Sequence, residues 1–172
     1  MQMKLTFIGA DHQVTGSCHF LEVGEMKVLI DCGMEQGNIQ YKNAELPVPY
    51  SDIDYVFLTH AHIDHAGMLP WIYARGFRGR VIATYATVDL CGIMLRDSAH
   101  IQEMEAEWKN RKARRAGREQ VEALYTTQDA ENVLEHFEGV AYGQMFKLNS
   151  NLTLRFTDVG HLLGSASIEI WA

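Results

Sequence analysis

Apolar and polar positions alternate along the first thirty residues in the manner of strands joined by short turns. Lys4 to Ile8 is a short apolar run, Gly9 to Gly16 turns, Ser17 to Val23 reads as a second strand, and Met26 to Ile30 is a buried run that ends at Asp31. This predicts a meander. Cys32 to Tyr50, with Gly33, Gly37, Pro47 and Pro49 and few apolar residues in register, predicts a long irregular loop. Ile53 to Leu58 is apolar apart from Asp54, as in a strand covered on both faces, and it runs directly into Thr59-His60-Ala61-His62-Ile63-Asp64-His65. Met68 to Ala74 predicts a short helix, Arg75 to Gly79 a turn and Val81 to Thr84 another buried strand, together a crossover unit. Leu90, Met94, Ile101, Met104 and Trp108 recur at helical spacing and Gly117 is a natural stop, which predicts a long helix over about Val88 to Ala116. Thr126 and Thr127, followed by Asp129 and Glu131, start a second helix through Phe137. Val140 to Leu148 and Leu152 to Phe156 read as strands joined by a turn at Asn149 to Asn151, and the second delivers Asp158, Gly160 and His161. Ile168 to Trp171 alternates as a half-buried strand.

Composition adds that this pattern belongs to a packed core. The 172 residues are 47% hydrophobic and 22% charged with three prolines, which excludes disorder, collagen and coiled coil as the main architecture. Three widely separated cysteines, Cys18, Cys32 and Cys91, form neither a disulfide framework nor a thiolate metal site, and point to reduced thiols in a cytoplasmic protein. No apolar run approaches the ~20 residues that span a bilayer, so no membrane association is expected. Net charge is -7, which advertises no partner rich in phosphate. Locally the balance reverses. Lys109, Arg111, Lys112, Arg114, Arg115 and Arg118 fall in one acid-free stretch, leaving nine of the 15 basic residues to face 22 acidic ones elsewhere. Such a cluster suits phosphate oxygens, and it equally suits the C-terminal end of a helix dipole.

Candidate chemistry sits in the histidines. His60, His62 and His65 lie within six residues, with Asp64 between them, at the C-terminal end of an apolar strand. Side chains at i and i+2 of extended backbone point the same way, so His60 and His62 can hold one ion while Asp64 and His65, in the following turn, face a second. Imidazole and carboxylate without thiolate suit zinc, with manganese and iron left open. A catalytic zinc takes about three protein ligands, and His161, flanked by Gly160 and Gly164, is the best third donor in the remainder. The Asp64 and His65 pair stays one or two ligands short. Asp31 also ends an apolar strand and is a candidate acceptor for a ligand imidazole, or else a plain turn carboxylate. His12, His19, His100 and His136 have no second ligand type at a useful spacing and read as surface or core histidines.

The run Thr59-His60-Ala61-His62-Ile63-Asp64-His65-Ala66-Gly67, with the Asp31 strand end and Gly160-His161, resembles the metal-binding motifs of the metallo-β-lactamase fold. Gly9-Ala10, Val14-Thr15-Gly16-Ser17, Asp31-Cys32-Gly33, Glu35-Gln36-Gly37, Gly76-Phe77-Arg78-Gly79, Ala83-Thr84 and His161-Leu162-Leu163-Gly164-Ser165-Ala166 resemble its β-CASP branch, the RNA-processing nucleases of prokaryotic type. The resemblance implies an α/β (α+β) fold, the αββα sandwich. It implies two zinc ions, one held by His60, His62 and His161 and the other by Asp64 and His65, with Asp64 also orienting or deprotonating the attacking water and Asp31 supporting the ligands. It implies phosphodiester hydrolysis of RNA, endo- or exonucleolytic. The bridging Asp, the last metal-binding His and the helical cap of that branch do not follow, so residues 1–172 are expected to be the N-terminal part of such a domain. A helical basic insertion would lie at about 97–120, metal occupancy would be partial or none, and the piece alone would be inactive. The basic residues would contact RNA, and a homo-oligomer would be favoured by an unpaired terminal strand. Competing readings are a metallo-hydrolase of small esters or thioesters on the same fold and a non-catalytic scaffold of RNA processing.

Overall fold

The computed structural model describes residues 2–38, 42–150 and 152–172. Two elements of the sequence reading, the loop at 39–41 and Asn151 of the expected turn, lie outside the described residues. The chain begins with the expected meander, β1 (Met3–Gly9), β2 (Cys18–Val23) and β3 (Met26–Ile30), paired antiparallel. After a loop and a single 3-10 turn at Tyr50–Asp52 come β4 (Tyr55–Phe57), α1 (Ile63–Ala66), α2 (Leu69–Ala74), β5 (Arg80–Thr84), α3 (Tyr85–Ala116), α4 (Thr127–Leu134) and β6 (Phe137–Val140). β3, β4, β5 and β6 pair in parallel, so the first sheet has the order β1-β2-β3-β4-β5-β6. β7 (Phe146–Lys147), β8 (Thr153–Asp158) and β9 (Ala166–Trp171) form a second, antiparallel sheet.

Two apolar layers explain the stacking. Leu21, Val28, Phe57 and Ile82 of the first sheet pack against Leu152, Leu154 and Phe156 of the second, all buried. Phe20, Leu29, Val56 and Val81, on the other face of the first sheet, pack against Leu69, Ile72, Leu95 and Val133 of the helices. The layers are therefore helix, sheet, sheet, and the near-continuous apolar run at 55–58 reflects burial on both faces. Among the described residues no helix is long and apolar enough to cross a membrane.

Several boundaries differ from the sequence reading. The long helix starts at Tyr85 because Thr84 caps it, its side chain accepting from the Thr87 backbone N–H. The helix expected to reach Phe137 ends at Leu134, since Val81↔Phe137 pairing puts Phe137 in β6. The single strand expected over Val140 to Leu148 is divided: β6 belongs to the first sheet and β7 to the second, so the chain changes sheets between them. Thr126 opens α4 as expected, with a reciprocal capping box to Asp129. α3 is continuous over 32 residues and closes on Gly117 in the left-handed conformation. Its last buried residue is Ala106, and the remaining turns carry the basic residues into solvent.

Candidate metal centre

β3 and β4 end side by side, and the backbone N–H of Asp31 donates to the Phe57 carbonyl at 2.9 Å. Asp31 then takes φ +60°, a left-handed conformation that Asp tolerates better than most side chains. The loop that follows is stitched to the histidine segment: Cys32 N–H donates to the His65 carbonyl at 2.7 Å and Met34 N–H to the Ile63 carbonyl at 3.0 Å. A Cβ on Gly33 would collide with the Asp64 carbonyl, so only glycine permits this approach. The loop thus locks Asp31 beneath the histidines.

Asp31 is 2% exposed and accepts from four groups. Ser17 Oγ lies 3.0 Å and His65 Nδ1 2.7 Å from Oδ2, and the Thr59 backbone N–H lies 2.8 Å from Oδ1. The Thr59 hydroxyl lies 2.9 Å from Oδ1 and 3.0 Å from His60 Nδ1. A carboxylate only accepts, so Thr59 donates to Asp31 and is left to accept from His60 Nδ1–H. His65 likewise donates through Nδ1. Both imidazoles are thereby held in the tautomer whose Nε2 carries the lone pair a metal needs. Thr59 and Ser17 stand in the motif runs, but their hydroxyls had no role readable from the sequence, because a hydroxyl carries no signal until its partner is known.

His161 arrives from the second sheet. Its loop is pinned by Ser165, whose buried Oγ accepts from the backbone N–H of His161 at 3.2 Å and of Leu162 at 3.0 Å. Ala166 N–H donates to the Thr59 carbonyl at 2.9 Å, and the Thr84 and Thr87 hydroxyls donate to the Gly164 carbonyl at 2.6 and 2.9 Å. His62 Nδ1 then lies 3.1 Å from His60 Nε2 and 3.4 Å from His161 Nε2, and the three donor atoms fall within 4.8 Å of one another. Ligands on a tetrahedral zinc at ~2.0–2.1 Å sit about 3.3–3.4 Å apart, so this donor set fits such an ion with one position left open. Asp64 Oδ2 lies 3.8 Å from His65 Nε2, and the His65 ring centroid is 4.0 Å from that of His60. The Asp64 and His65 pair therefore borders the triad without completing a second ligand set among the described residues.

Burial, helped by the neighbouring His65, pushes the His60 pKa down to about 4, so His60 stays neutral at physiological pH. Burial pulls His65 down as well, but the hydrogen bond and charge of Asp31, with Asp64, outweigh it and hold His65 above its ordinary value. The signs are opposite. A folded chain that refuses the proton its unfolded form accepts at about 6.5 loses stability as pH falls from there toward 4, whereas the His65 contribution is full below 6.5 and fades as pH rises through its raised pKa. In chelator, the urea midpoint of the chain is expected to fall across the acid window, and His60→Asn to flatten that limb; an unchanged limb in the variant would refute the assignment to His60.

The other predicted residues lie elsewhere. His136 Nδ1 is 2.9 Å from the Gly79 carbonyl and packs on Tyr73, a structural role. Cys18, Cys32 and Cys91 are buried free thiols, and burial raises Cys18 and Cys91 to about 12. The basic residues are remote from the histidines: Thr87 touches the His161 loop, while Arg111 to Arg115 follow about 24 to 28 residues later on the same helix, some 36–42 Å along its axis.

Residues 20–172 match the model of the metallo-beta-lactamase superfamily domain. The chain is 37% identical over 167 residues to Ribonuclease TTHA0252 of Thermus thermophilus, covering 96% of this chain and 34% of the relative. It is 28% identical over 170 residues to the Transcription termination factor FttA of Methanocaldococcus jannaschii, covering 95% and 24%. The chain thus spans about a quarter to about a third of the length of these relatives. Among solved structures, a mutant metallo-beta-lactamase from Cronobacter sakazakii superposes with TM-score 0.57 at 20% identity, covering 99% of this chain and 59% of that one. A subclass B3 metallo-beta-lactamase from a soil metagenome library, MEM-A1, gives TM-score 0.55 at 18% identity over 96% and 54%. With the layered sheets, the imidazole triad at the strand ends and the matched residues in agreement, the chain belongs to the metallo-beta-lactamase superfamily.

Proposed function

We propose that this chain carries the metal-binding part of a β-CASP-type hydrolase that cleaves RNA phosphodiester bonds with zinc. The observation that carries the reading is the imidazole triad of His60, His62 and His161 standing beside the Asp64 and His65 pair. The naming of a 37% identical relative as a ribonuclease supports RNA as the substrate class. His60, His62 and His161 would hold one ion, and Asp64 and His65 would contribute to a second. When bound, zinc supplies Lewis-acid charge opposite a phosphate oxygen and acidifies water. The rest is done by the chain. Asp64, a carboxylate at the site's rim, binds or orients the attacking water and takes its proton on Oδ; Asp31 and Thr59 keep the imidazoles in register. The basic stretch of Lys109, Arg111, Lys112, Arg114, Arg115 and Arg118 is assigned to RNA contact rather than to the reaction centre.

In the polypeptide that carries this chain, Asp64→Asn and His62→Ala are each expected to lower cleavage of a labelled RNA by about 10²–10⁴-fold while RNA binding in chelator persists. Cleavage that survives both substitutions, or that needs no divalent ion, would refute the reading. Three buried reduced thiols support a cytoplasmic setting. The exposed Met3, Leu5 and Phe7, alternating along edge strand β1, favour self-association of the chain.

A further inference from the structure

The C-terminal end of α3 is followed by a segment that turns back against it. Gly117 adopts φ +63°, and Arg118 N–H donates to the Ala113 carbonyl at 2.9 Å. The Asn110 carboxamide then clamps the returning backbone at both of its polar groups: Nδ2 donates to the Val121 carbonyl at 2.8 Å and Oδ1 accepts from the Val121 N–H at 2.7 Å. Between helix and returning segment lies a cleft of about 290 Å³ lined by Lys109, Lys112 and Arg118, with Glu119 as its acidic wall residue. Lys109 is in a surface ion pair with Glu105 at 3.3 Å, and among the described residues neither Lys112 nor Arg118 is in an ion pair. Lys112 and Arg118, in no ion pair among the described residues, leave a local positive potential that favours a bound anion.

The adjoining face is aromatic. Trp108 is 52% exposed, with the Lys112 ammonium 3.6 Å from its ring centroid. Trp108 also lines a shallow depression of about 330 Å³ with Ile101, Met104, Glu105 and Arg111. A largely apolar depression, edged by Glu105 and Arg111, beside a cationic cleft matches the base and the phosphate of one nucleotide, and interleaved aromatic and basic residues make a stacking platform for single strands. An acidic protein segment would use the cations and leave the tryptophan idle.

We propose that the α3 end is a distal single-stranded RNA site, with phosphate held by Lys109, Lys112 and Arg118 and a base stacked on Trp108. This rests on RNA being the substrate class of the histidine site. Lys109 to Arg115 stand about 33–42 Å along the helix from Thr87, so a stacked strand engaging both ends, at ~3.4 Å per nucleotide, would need on the order of 10 to 12 nucleotides. The site anchors the strand far from the bond that is cut.

The test is equilibrium binding of fluorescein-labelled oligouridylates of 5 and 15 nucleotides to the 172-residue chain in EDTA, across a salt series. Lys109→Ala/Lys112→Ala/Arg118→Ala is expected to weaken binding of the longer oligomer at least 10-fold and to reduce the log–log salt slope by about 2, at ~0.7 for each phosphate the variant no longer neutralises. Trp108→Ala is expected to weaken binding with the slope unchanged. Lys4→Ala/Lys147→Ala, on the two sheets, should change neither. Thermal melts by circular dichroism should be alike for all variants, since each altered side chain lies at the surface. An unchanged slope in the triple variant would overturn the proposal, as would a poly-glutamate peptide of equal charge competing as well as the oligomer, which would assign the cleft to an acidic protein. Because the chelator prevents cleavage, these outcomes are read independently of whether the histidine site hydrolyses RNA.

Discussion

Asp31→Ala is expected to destabilise the chain by about 3–5 kcal/mol and to weaken zinc binding at least ~10-fold besides. Four donors converge on this one buried carboxylate, and removal leaves the Thr59 N–H, the Ser17 and Thr59 hydroxyls and His65 Nδ1–H without their acceptor. Buried donors stripped of a partner cost roughly 1–3 kcal/mol each, partly relieved where water enters at the His65 side. Asp31→Asn separates the two effects. Asparagine tolerates the left-handed backbone and still accepts from Thr59 N–H through Oδ1, so most of the stability is expected to remain. Its amide, however, faces His65 Nδ1 as a donor, which favours the other tautomer and puts the proton on Nε2, where a metal would bind. Urea denaturation together with nitrogen-15 NMR of the His65 ring checks both halves; a proton still on His65 Nδ1 in Asp31→Asn would show that Asp31 does not set that tautomer. Thr59→Val, which removes the acceptor of His60 Nδ1–H, should cost about 1–3 kcal/mol by the same reasoning.

Zinc titration of the chain is expected to find one tight ion, held by three imidazole nitrogens, and no second of comparable affinity. The triad presents its donors at 3.1 and 3.4 Å, close to tetrahedral ligand spacing, whereas the neighbouring Asp64 and His65 offer two groups. Four-ligand zinc sites bind with about 10–16 kcal/mol, or roughly 3 kcal/mol per ligand, so His161→Ala should weaken the ion about 10²-fold. The same substitution should abolish most of the zinc-induced rise in melting temperature, which arises from preferential binding to the folded chain. Ser165→Ala should have a smaller effect in the same direction, because Ser165 only fixes the loop that presents His161. Two tight ions per wild-type chain in isothermal titration would overturn this ligand count.

The histidine cluster was legible locally. His60, His62, Asp64 and His65 stand within six residues, and the two-residue spacing of the first pair already aims both imidazoles one way. The capping box at Thr126 and the stop at Gly117 were equally local, since each is decided by one or two side chains and the backbone beside them. The apolar runs at Met26 to Ile30 and Ile53 to Leu58 disclosed buried strands for the same reason.

Tertiary pairing decided the remainder. Val140 to Leu148 reads as one strand because both of its ends are apolar, yet β6 joins β5 and β7 joins β8, a choice made by partners distant in sequence. Asp31 could have been a turn residue; what makes it the hub is Thr59, 28 positions away, and His65, 34 away. The basic stretch offered two readings at the sequence level, dipole complement or phosphate contact. Its distance from the reaction centre and its cleft exist only because a 32-residue helix carries it out of the core and Asn110 folds the next segment back. A short-range pattern reports which residue types share a surface. Which surfaces meet is set by pairing and packing over tens of residues, and those contacts leave no periodic trace in the chain.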